Sequence, residues 1–163
     1  HRTEFKLLLC GFASQKVSTK AQLKFCRLTQ RYTNMPYKIN PQEINSVLNL
    51  SNLERFKHFV KRSCDWEEIW ALKSESGWVT SESEGRKCLV VWPNPAYAEL
   101  FIKGDWENAK PELIELNNFI ENWVPGMVQD GIYLGVLPNL ELDAIVVSAD
   151  RILPEIKQEL ENY

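Results

Sequence analysis

Hydrophobic residues between positions 40 and 63 recur at the three- and four-residue spacing of amphipathic helices. Two helix-start signals divide this region. Asn40 stands before a proline at the start of the first stretch, and Ser51 precedes Glu54 by three residues at the start of the second. We therefore expect one helix from Asn40 to about residue 48 and another from Ser51 to about Ser63, which together predict an N-terminal helical hairpin.

The period changes to that of β-strands after residue 66. Six short runs separated by turn residues are the predicted strands: 67–73, 78–81, 87–92, 111–116, 132–137 and 142–147. The third run is apolar on both faces, which places it in the centre of the sheet, and the fourth is a short edge strand. Because neighbouring runs are joined by short turns, we expect a mainly antiparallel sheet.

Three further helices are predicted between and after these strands. The first begins at Asn94, which precedes a proline in the first helical position. The second begins at Asn117 and ends at Gly131, and Pro125 should kink or restart it because proline has no amide hydrogen to donate. The third follows Ser148. The predicted fold is α+β: a mainly antiparallel sheet of about five to six strands with helices packed against it, and the N-terminal helical hairpin.

The first 34 residues differ from the rest of the chain in charge and in pattern. They carry seven lysines or arginines against the single acid Glu4, a net +6, and show no sustained period. We expect residues 1–34 to be a basic extension, non-native or disordered, with Met35 as the natural start; a genuine basic arm is the competing interpretation. Residues 36–163 are predicted to form a single α+β domain.

The charge of the remaining residues limits the classes of partner. The whole chain carries −3, so the part after residue 34 carries −9. An acidic surface repels phosphate backbones, so nucleic acid is not an expected partner, and a charged protein partner should be basic. No apolar run reaches the roughly 18 residues of a membrane helix, and four cysteines without a zinc-type spacing suit a reducing, cytoplasmic protein.

Residues for catalysis are sparse. Only His1 and His58 could act as an imidazole base, and His58 is expected on the solvated side of its helix. The dense carboxylates, Glu67-Glu68 and Glu82 with Glu84, are expected to be solvated. No metal-ligand spacing or phosphate-binding glycine loop is present in the sequence. We predict no cofactor and no metal. The sequence favours a protein without enzymatic activity but leaves open an enzyme with an unfamiliar carboxylate site.

The tryptophans are the unusual feature of the sequence, because all six fall within 58 residues. They could simply fill the core of a small domain, or some could line a binding groove, since tryptophan is enriched in binding hot spots. Trp66 and Trp70 should share one face of the first strand, and Trp106 is the best candidate for exposure. The candidate binding residues are Trp66, Trp70, Trp78, Trp92, Tyr97, Trp106 and Trp123.

Several short motifs together resemble a bacterial family known as domain of unknown function 2750. They are Asp65-Trp66-Glu67-Glu68-Ile69-Trp70, Gly77-Trp78, Trp92-Pro93 with Tyr97-Ala98, Gly104 with Trp106, Phe119, Trp123, Pro125-Gly126 and Asp130-Gly131. The resemblance covers about residues 44–163 and implies a compact bacterial cytosolic protein without an established activity. The order of elements from Leu89 to Leu137 is also similar to that of SseB-type domains.

These observations favour a non-enzymatic protein-binding or regulatory module, because a dense aromatic zone lies on an acidic scaffold that lacks a catalytic set. The alternatives are an immunity-type protein that neutralises a basic toxin and a small-molecule sensor with a tryptophan-lined pocket. The expected partner is another protein, with no nucleic acid and no membrane.

Overall fold

Helices and strands alternate irregularly along residues 38–163, the part of the chain that the computed structural model describes. Of these, residues 39–163 form one compact unit. The helices are α1 (Pro41–Leu48), α2 (Asn52–Trp66), α3 (Pro95–Glu99), α4 (Leu116–Asn118), α5 (Val124–Asp130) and α6 (Leu153–Leu160). The strands are β1 (Glu68–Ser74), β2 (Gly77–Trp78), β3 (Thr80–Ser83), β4 (Arg86–Val91), β5 (Lys110–Glu115), β6 (Tyr133–Val136) and β7 (Ile145–Ser148). The expectations for residues 1–34 and Met35 lie outside the described residues.

The two helices predicted between residues 40 and 63 are both present as α1 and α2. The side chain of Asn40 accepts a hydrogen bond from the amide of Gln42 at 2.9 Å, and Ser51 and Glu54 form a reciprocal capping box. The second helix runs past the predicted end at Ser63, up to Trp66. It stops there because Glu67 adopts a left-handed conformation with φ of 53°.

The α+β class is confirmed, but the strands form two sheets where one was predicted. The smaller sheet has the order β2-β1-β5 and is antiparallel. The larger sheet has the order β3-β4-β6-β7, with β4 and β6 parallel and the outer pairs antiparallel. As predicted, β4 is central and β5 is an edge strand.

The predicted strand 78–81 explains how two sheets arise. It divides at Val79: β2 before it pairs with β1, whereas β3 after it pairs with β4. The amide of Val79 still donates to the carbonyl of Leu72 at 2.8 Å, so the chain passes from one sheet to the other without losing that bond. A second link joins the sheets, where Trp70 and Trp92 exchange two backbone hydrogen bonds of 2.8 Å.

A continuous helical segment runs from Leu116 to Asp130, directly after β5. It consists of α4, a π-helical stretch at Phe119–Trp123, and α5. The segment begins directly at the end of β5, so Asn117 lies inside it and is not its cap. The predicted interruption at Pro125 takes the form of the wider π turns just before it, which separate the proline ring from the preceding carbonyls. Gly131 ends the segment in a left-handed conformation, as predicted.

A buried arginine fixes the loop between β6 and β7. The side chain of Arg55 is 2% exposed, and it donates from Nε to the carbonyl of Leu137 at 3.0 Å and from a terminal nitrogen to that of Asp143 at 2.9 Å. The same guanidinium reaches the carbonyl of Leu50 and the side chain of Asn52. Because these bonds hold residues 137–143 in a tight turn, β7 begins at Ile145 and not at the predicted 142.

Two features are absent from residues 38–163. No helix in this range is both long and apolar enough to cross a bilayer. In the same range, histidines, cysteines and carboxylates do not gather into any group of three that could hold a metal ion.

Candidate functional site

The structure divides the seven candidate aromatic residues into buried and half-buried sets. Trp92 and Tyr97 are 1% and 0% exposed, so they are core residues that a partner cannot reach in this conformation. The centroid of the Trp92 ring lies 5.3 Å from that of Phe101. The other five, Trp66, Trp70, Trp78, Trp106 and Trp123, pack against the core but keep part of their surface in solvent.

Trp66 and Trp70 do not share a strand face as the sequence alternation predicted. Trp66 belongs to the last turn of α2, where the guanidinium of Arg62 lies 5.3 Å from the ring centroid. Only Trp70 belongs to β1, and its indole Nε1 donates to Glu68 at 3.3 Å. The prediction failed because the helix does not end at Ser63: Cys64 continues its buried stripe, and the helical backbone extends to Trp66.

Trp106 is half-buried and not fully exposed. It lies in a single 3₁₀ turn, Gly104–Trp106, before β5. Its side chain helps to line a groove of about 360 Å³ together with Phe101, Leu140 and Leu142. The two leucines are 57% and 52% exposed.

Trp78 and Trp123 form the closest aromatic pair among the candidates. Their ring centroids are 4.7 Å apart and the ring planes meet at 85°, an edge-to-face arrangement that aromatic quadrupoles favour. Trp78 comes from the end of β2, whereas Trp123 comes from the π-helical stretch. The short strand and the wide helical turn, which are the two irregular elements of the fold, therefore bring these tryptophans together.

The pair forms a corner of a surface groove of about 330 Å³, which we call the Trp78–Trp123 groove. Strands contribute one wall and the helical segment 116–130 contributes the other. The lining residues are Trp78, Thr80, Leu89, Asn122, Trp123, Gly126, Met127, Asp130 and Ile132. The groove is therefore mainly apolar, with a hydroxyl, an amide and a carboxylate as its polar groups.

Gly126 leaves open space on the helical side of the groove. A Cβ atom built at this position would meet no heavy atom within 4 Å, so neither packing nor a close backbone approach requires glycine there. A glycine in a helix interior costs roughly 1 kcal/mol relative to alanine. The absence of a side chain at Gly126 thus widens the groove at the expense of helix stability.

The formal charge of the groove comes from a small number of residues. Within the described part of the chain, Asp130 is the one charged residue among those that line it, and no ion pair engages it. Lys73 lies close to one of the two tryptophans, with its Nζ 5.1 Å from the centroid of Trp78, but it does not line the groove. The last turn of α5 contains no basic residue. Asp130 is therefore the formal charge that the described lining of the groove presents.

Within residues 38–163, burial shifts the pKa values of the two cysteines and of the histidine. Burial raises the pKa of the Cys64 thiol to about 12, and it also raises the pKa of Cys88. His58 is half-buried beside Tyr97, with ring centroids 6.5 Å apart, and not solvated as predicted. Burial, with Arg62 as a smaller cause, lowers the pKa of His58. Neutral thiols and a hard-to-protonate imidazole do not point to nucleophilic chemistry.

Sequence reasoning identified the two tryptophans of the groove but missed its remaining features. Gly126 and Asp130 entered only as parts of motifs that resemble the family, without a role. A signal for Gly126 was present, because a glycine inside a helix-forming run lowers helix stability and invites an explanation. No comparable signal separated Asp130 from the other surface acids, since its relevance depends on the helix lying against β2 and β3.

A comparison with known proteins identifies the family. A family model described as "Protein of unknown function (DUF2750)" matches residues 56–156. The match covers more than half of the chain, and the chain belongs to this family. No curated protein and no solved structure gives a significant match.

Proposed function

We propose that this member of the DUF2750 family is a non-enzymatic binding module whose Trp78–Trp123 groove receives a side chain from a partner protein. Gly126 is the observation that carries the proposal. An alanine there would strengthen the helix and would collide with nothing, so the structure of the domain alone does not account for glycine. A groove that must stay open for a ligand does account for it.

The composition of the groove also supports recognition of a protein side chain. Two half-buried tryptophans provide a large contact area that loses little conformational entropy on binding. Tryptophan is among the residues most enriched in binding hot spots. The groove is open to the surface and is about the size of one or two large side chains, so a segment of a partner can insert without any opening of the core.

The experiment compares two groove variants with a matched control. Gly126→Leu fills the groove and leaves both tryptophans in place, and Trp123→Ala removes one wall. Trp66→Ala is the control, because Trp66 is a half-buried tryptophan of α2 that does not line the groove. Each protein serves as bait in a lysate of the source organism, and proteins captured by the parent are identified by mass spectrometry.

The identified partner is then purified, and its dissociation constant is measured for each bait by calorimetry. We expect Gly126→Leu and Trp123→Ala to weaken binding roughly tenfold or more, the range of hot-spot substitutions, and Trp66→Ala to leave it unchanged. Equal affinity for the parent and Gly126→Leu would rule out the groove as the recognition site. Folding of each variant is checked by its near-ultraviolet circular dichroism.

A small-molecule sensor is the second candidate, favoured by the volume of the groove. Its size of about 330 Å³ lies at the lower end of the range typical of small-molecule pockets, about 300 to 1,000 Å³. A metabolite library screened by thermal shift tests this function. A compound that stabilises the parent but not Gly126→Leu would favour it, and no hit across a broad library would remove it.

A further inference from the structure

We infer that the Trp78–Trp123 groove selects a cation, the protonated side chain of a lysine or arginine on the partner protein. The inference rests on the proposed function, since it names the chemistry that the same groove accepts. Three features support it: the aromatic corner, the carboxylate of Asp130, which forms no ion pair with any residue of 38–163, and the end of the helical segment.

The aromatic corner suits a long side chain that ends in a charge. The edge-to-face contact of Trp78 and Trp123, at 85°, gives the groove two walls at nearly a right angle. Tryptophan is the best cation–π acceptor among the aromatic residues, and its ring also packs well against a methylene chain. Lys73 already places its ammonium 5.1 Å from the Trp78 centroid, so this ring holds a cation elsewhere on its surface.

Asp130 places a negative charge at one end of this corner. It lies in the last turn of the helical segment, next to Gly131, and no basic residue accompanies it there. The carbonyl end of a helix carries about half a negative elementary charge, which adds to that of the carboxylate. A cation bound in the groove would stabilise both, whereas an anion would be repelled by both.

The remaining polar groups are compatible with a protonated guest. The amide nitrogen of Asn122 donates to Asn118 at 2.8 Å, and among the described residues the amide oxygen of Asn122 accepts no recorded hydrogen bond. Thr80 supplies a hydroxyl that can also accept. A lysine ammonium needs acceptors for three hydrogen atoms. No lysine or arginine lines the groove to compete for these acceptors.

The overall charge agrees with such a guest. The chain after residue 34 carries −9, so a basic segment would approach it faster than a neutral one, and salt would slow this approach. We therefore expect the groove to be occupied by a lysine or arginine side chain on a basic stretch of the partner.

The test uses three amino acids blocked at the α-amino and α-carboxyl groups as probes of the full chain: Nα-acetyl-lysine methylamide, Nα-acetyl-arginine methylamide and Nα-acetyl-norleucine methylamide. Norleucine has an unbranched alkyl side chain without the ammonium, so it isolates the contribution of charge. Binding is followed by the indole N–H signals of Trp78 and Trp123 in two-dimensional nuclear magnetic resonance spectra. We expect the two cationic probes to bind about tenfold more tightly than norleucine, the scale of one desolvated cation–π contact and one ion pair.

Asp130→Asn is the decisive variant, and Glu121→Gln is its matched control. Glu121 is an exposed acid of the same helical segment that does not line the groove. We expect Asp130→Asn to lower the preference for the cationic probes from about tenfold to about threefold, because the contact with the tryptophan rings remains, and Glu121→Gln to preserve the tenfold preference. Equal binding of lysine and norleucine by the parent, or an unchanged preference in Asp130→Asn, would overturn the inference.

The failure of this inference and that of the proposed function give different results. If the identified partner loses affinity for Gly126→Leu while the probes show no charge preference, the module binds a neutral side chain and the inference is wrong. If the probes show the preference but the partner binds Gly126→Leu as tightly as the parent, the groove binds cations but is not the protein-recognition site. In that case the cation that binds the groove is not a side chain of the partner protein.

Discussion

Trp92 and Trp123 have the same side chain in two regions with opposite properties. Trp92 lies at the end of the central strand, 1% exposed, with Phe101 against its ring. Trp123 lies on an irregular helical turn, only partly buried, beside an open groove. The first region is closed and regular, and the second is open and built from a two-residue strand and a π turn. The difference shows that the location of a tryptophan, and not the number of tryptophans, decides whether it is enclosed in the core or remains accessible at the surface.

The largest expected effect is on stability, from Trp92→Ala. Removing a fully buried tryptophan leaves a cavity that the surrounding sheet cannot fill, and such substitutions cost about 3–5 kcal/mol. Urea denaturation followed by circular dichroism measures this loss. Trp92→Phe is the control and should cost less, because it keeps an aromatic ring and removes an indole N–H without a hydrogen-bond partner in the described structure. A loss below about 1 kcal/mol for the alanine variant would contradict the assignment of Trp92 to the core.

Trp123→Ala should have a smaller effect on stability and a larger effect on binding. Part of the side chain is already in solvent, so its removal should cost about 1–2 kcal/mol of unfolding free energy. The same denaturation experiment gives this value. If Trp123→Ala destabilises the domain as much as Trp92→Ala, both residues belong to the core, and the distinction between the two regions fails.

The sequence predicted the closed region better than the open one. The caps at Asn40, Ser51 and Asn94 and the apolar run of β4 are local signals, and the structure confirms each of them. The groove depends on contacts between segments distant in the chain. Nothing local indicated that the strand 78–81 would divide at Val79 and place Trp78 beside Trp123.

The buried aromatic residues show a second limit of prediction from sequence, which concerns the burial of single side chains. The pattern around Trp92 was strongly apolar, and it correctly predicted a central strand, yet Trp92 and Tyr97 were included as binding candidates because of their residue type. Burial of a residue after the strand end is decided by the segments that cover it, here the turn at Phe101 and helix α2. The sequence alone gives no measure of that covering.

Tyr97→Phe should leave binding unchanged and alter stability only slightly at neutral pH. The hydroxyl of Tyr97 is buried and has no hydrogen-bond partner among the described residues, so removing it should be neutral or stabilise the fold by about 1 kcal/mol. Burial raises the pKa of Tyr97 to about 12 from an ordinary value near 10. In the parent protein, the neutral phenol favours the folded state below pH 10, and this contribution is lost as the pH rises towards 12.

The measurement is the free energy of unfolding of parent and variant at several values between pH 7 and pH 11. The phenylalanine variant lacks the ionisable group, so its advantage over the parent should grow above pH 10. Cys64, whose pKa burial raises to about 12, contributes equally to both proteins. Parallel stability curves across this range would show that Tyr97 is not enclosed in the core as described.

Gly126→Ala should have the smallest effect on the free energy of unfolding. The sign of this effect should be opposite to that of an added methyl group in the core. In the core, adding a methyl group to a well-packed site destabilises a protein, whereas at Gly126 a Cβ atom meets nothing within 4 Å. The substitution should therefore raise the free energy of unfolding by about 0.5–1 kcal/mol, the helix-propensity difference between the two residues. The same methyl group narrows the groove, so partner affinity should fall as stability rises. A variant that is more stable and binds equally well would show that the open space at Gly126 serves no ligand.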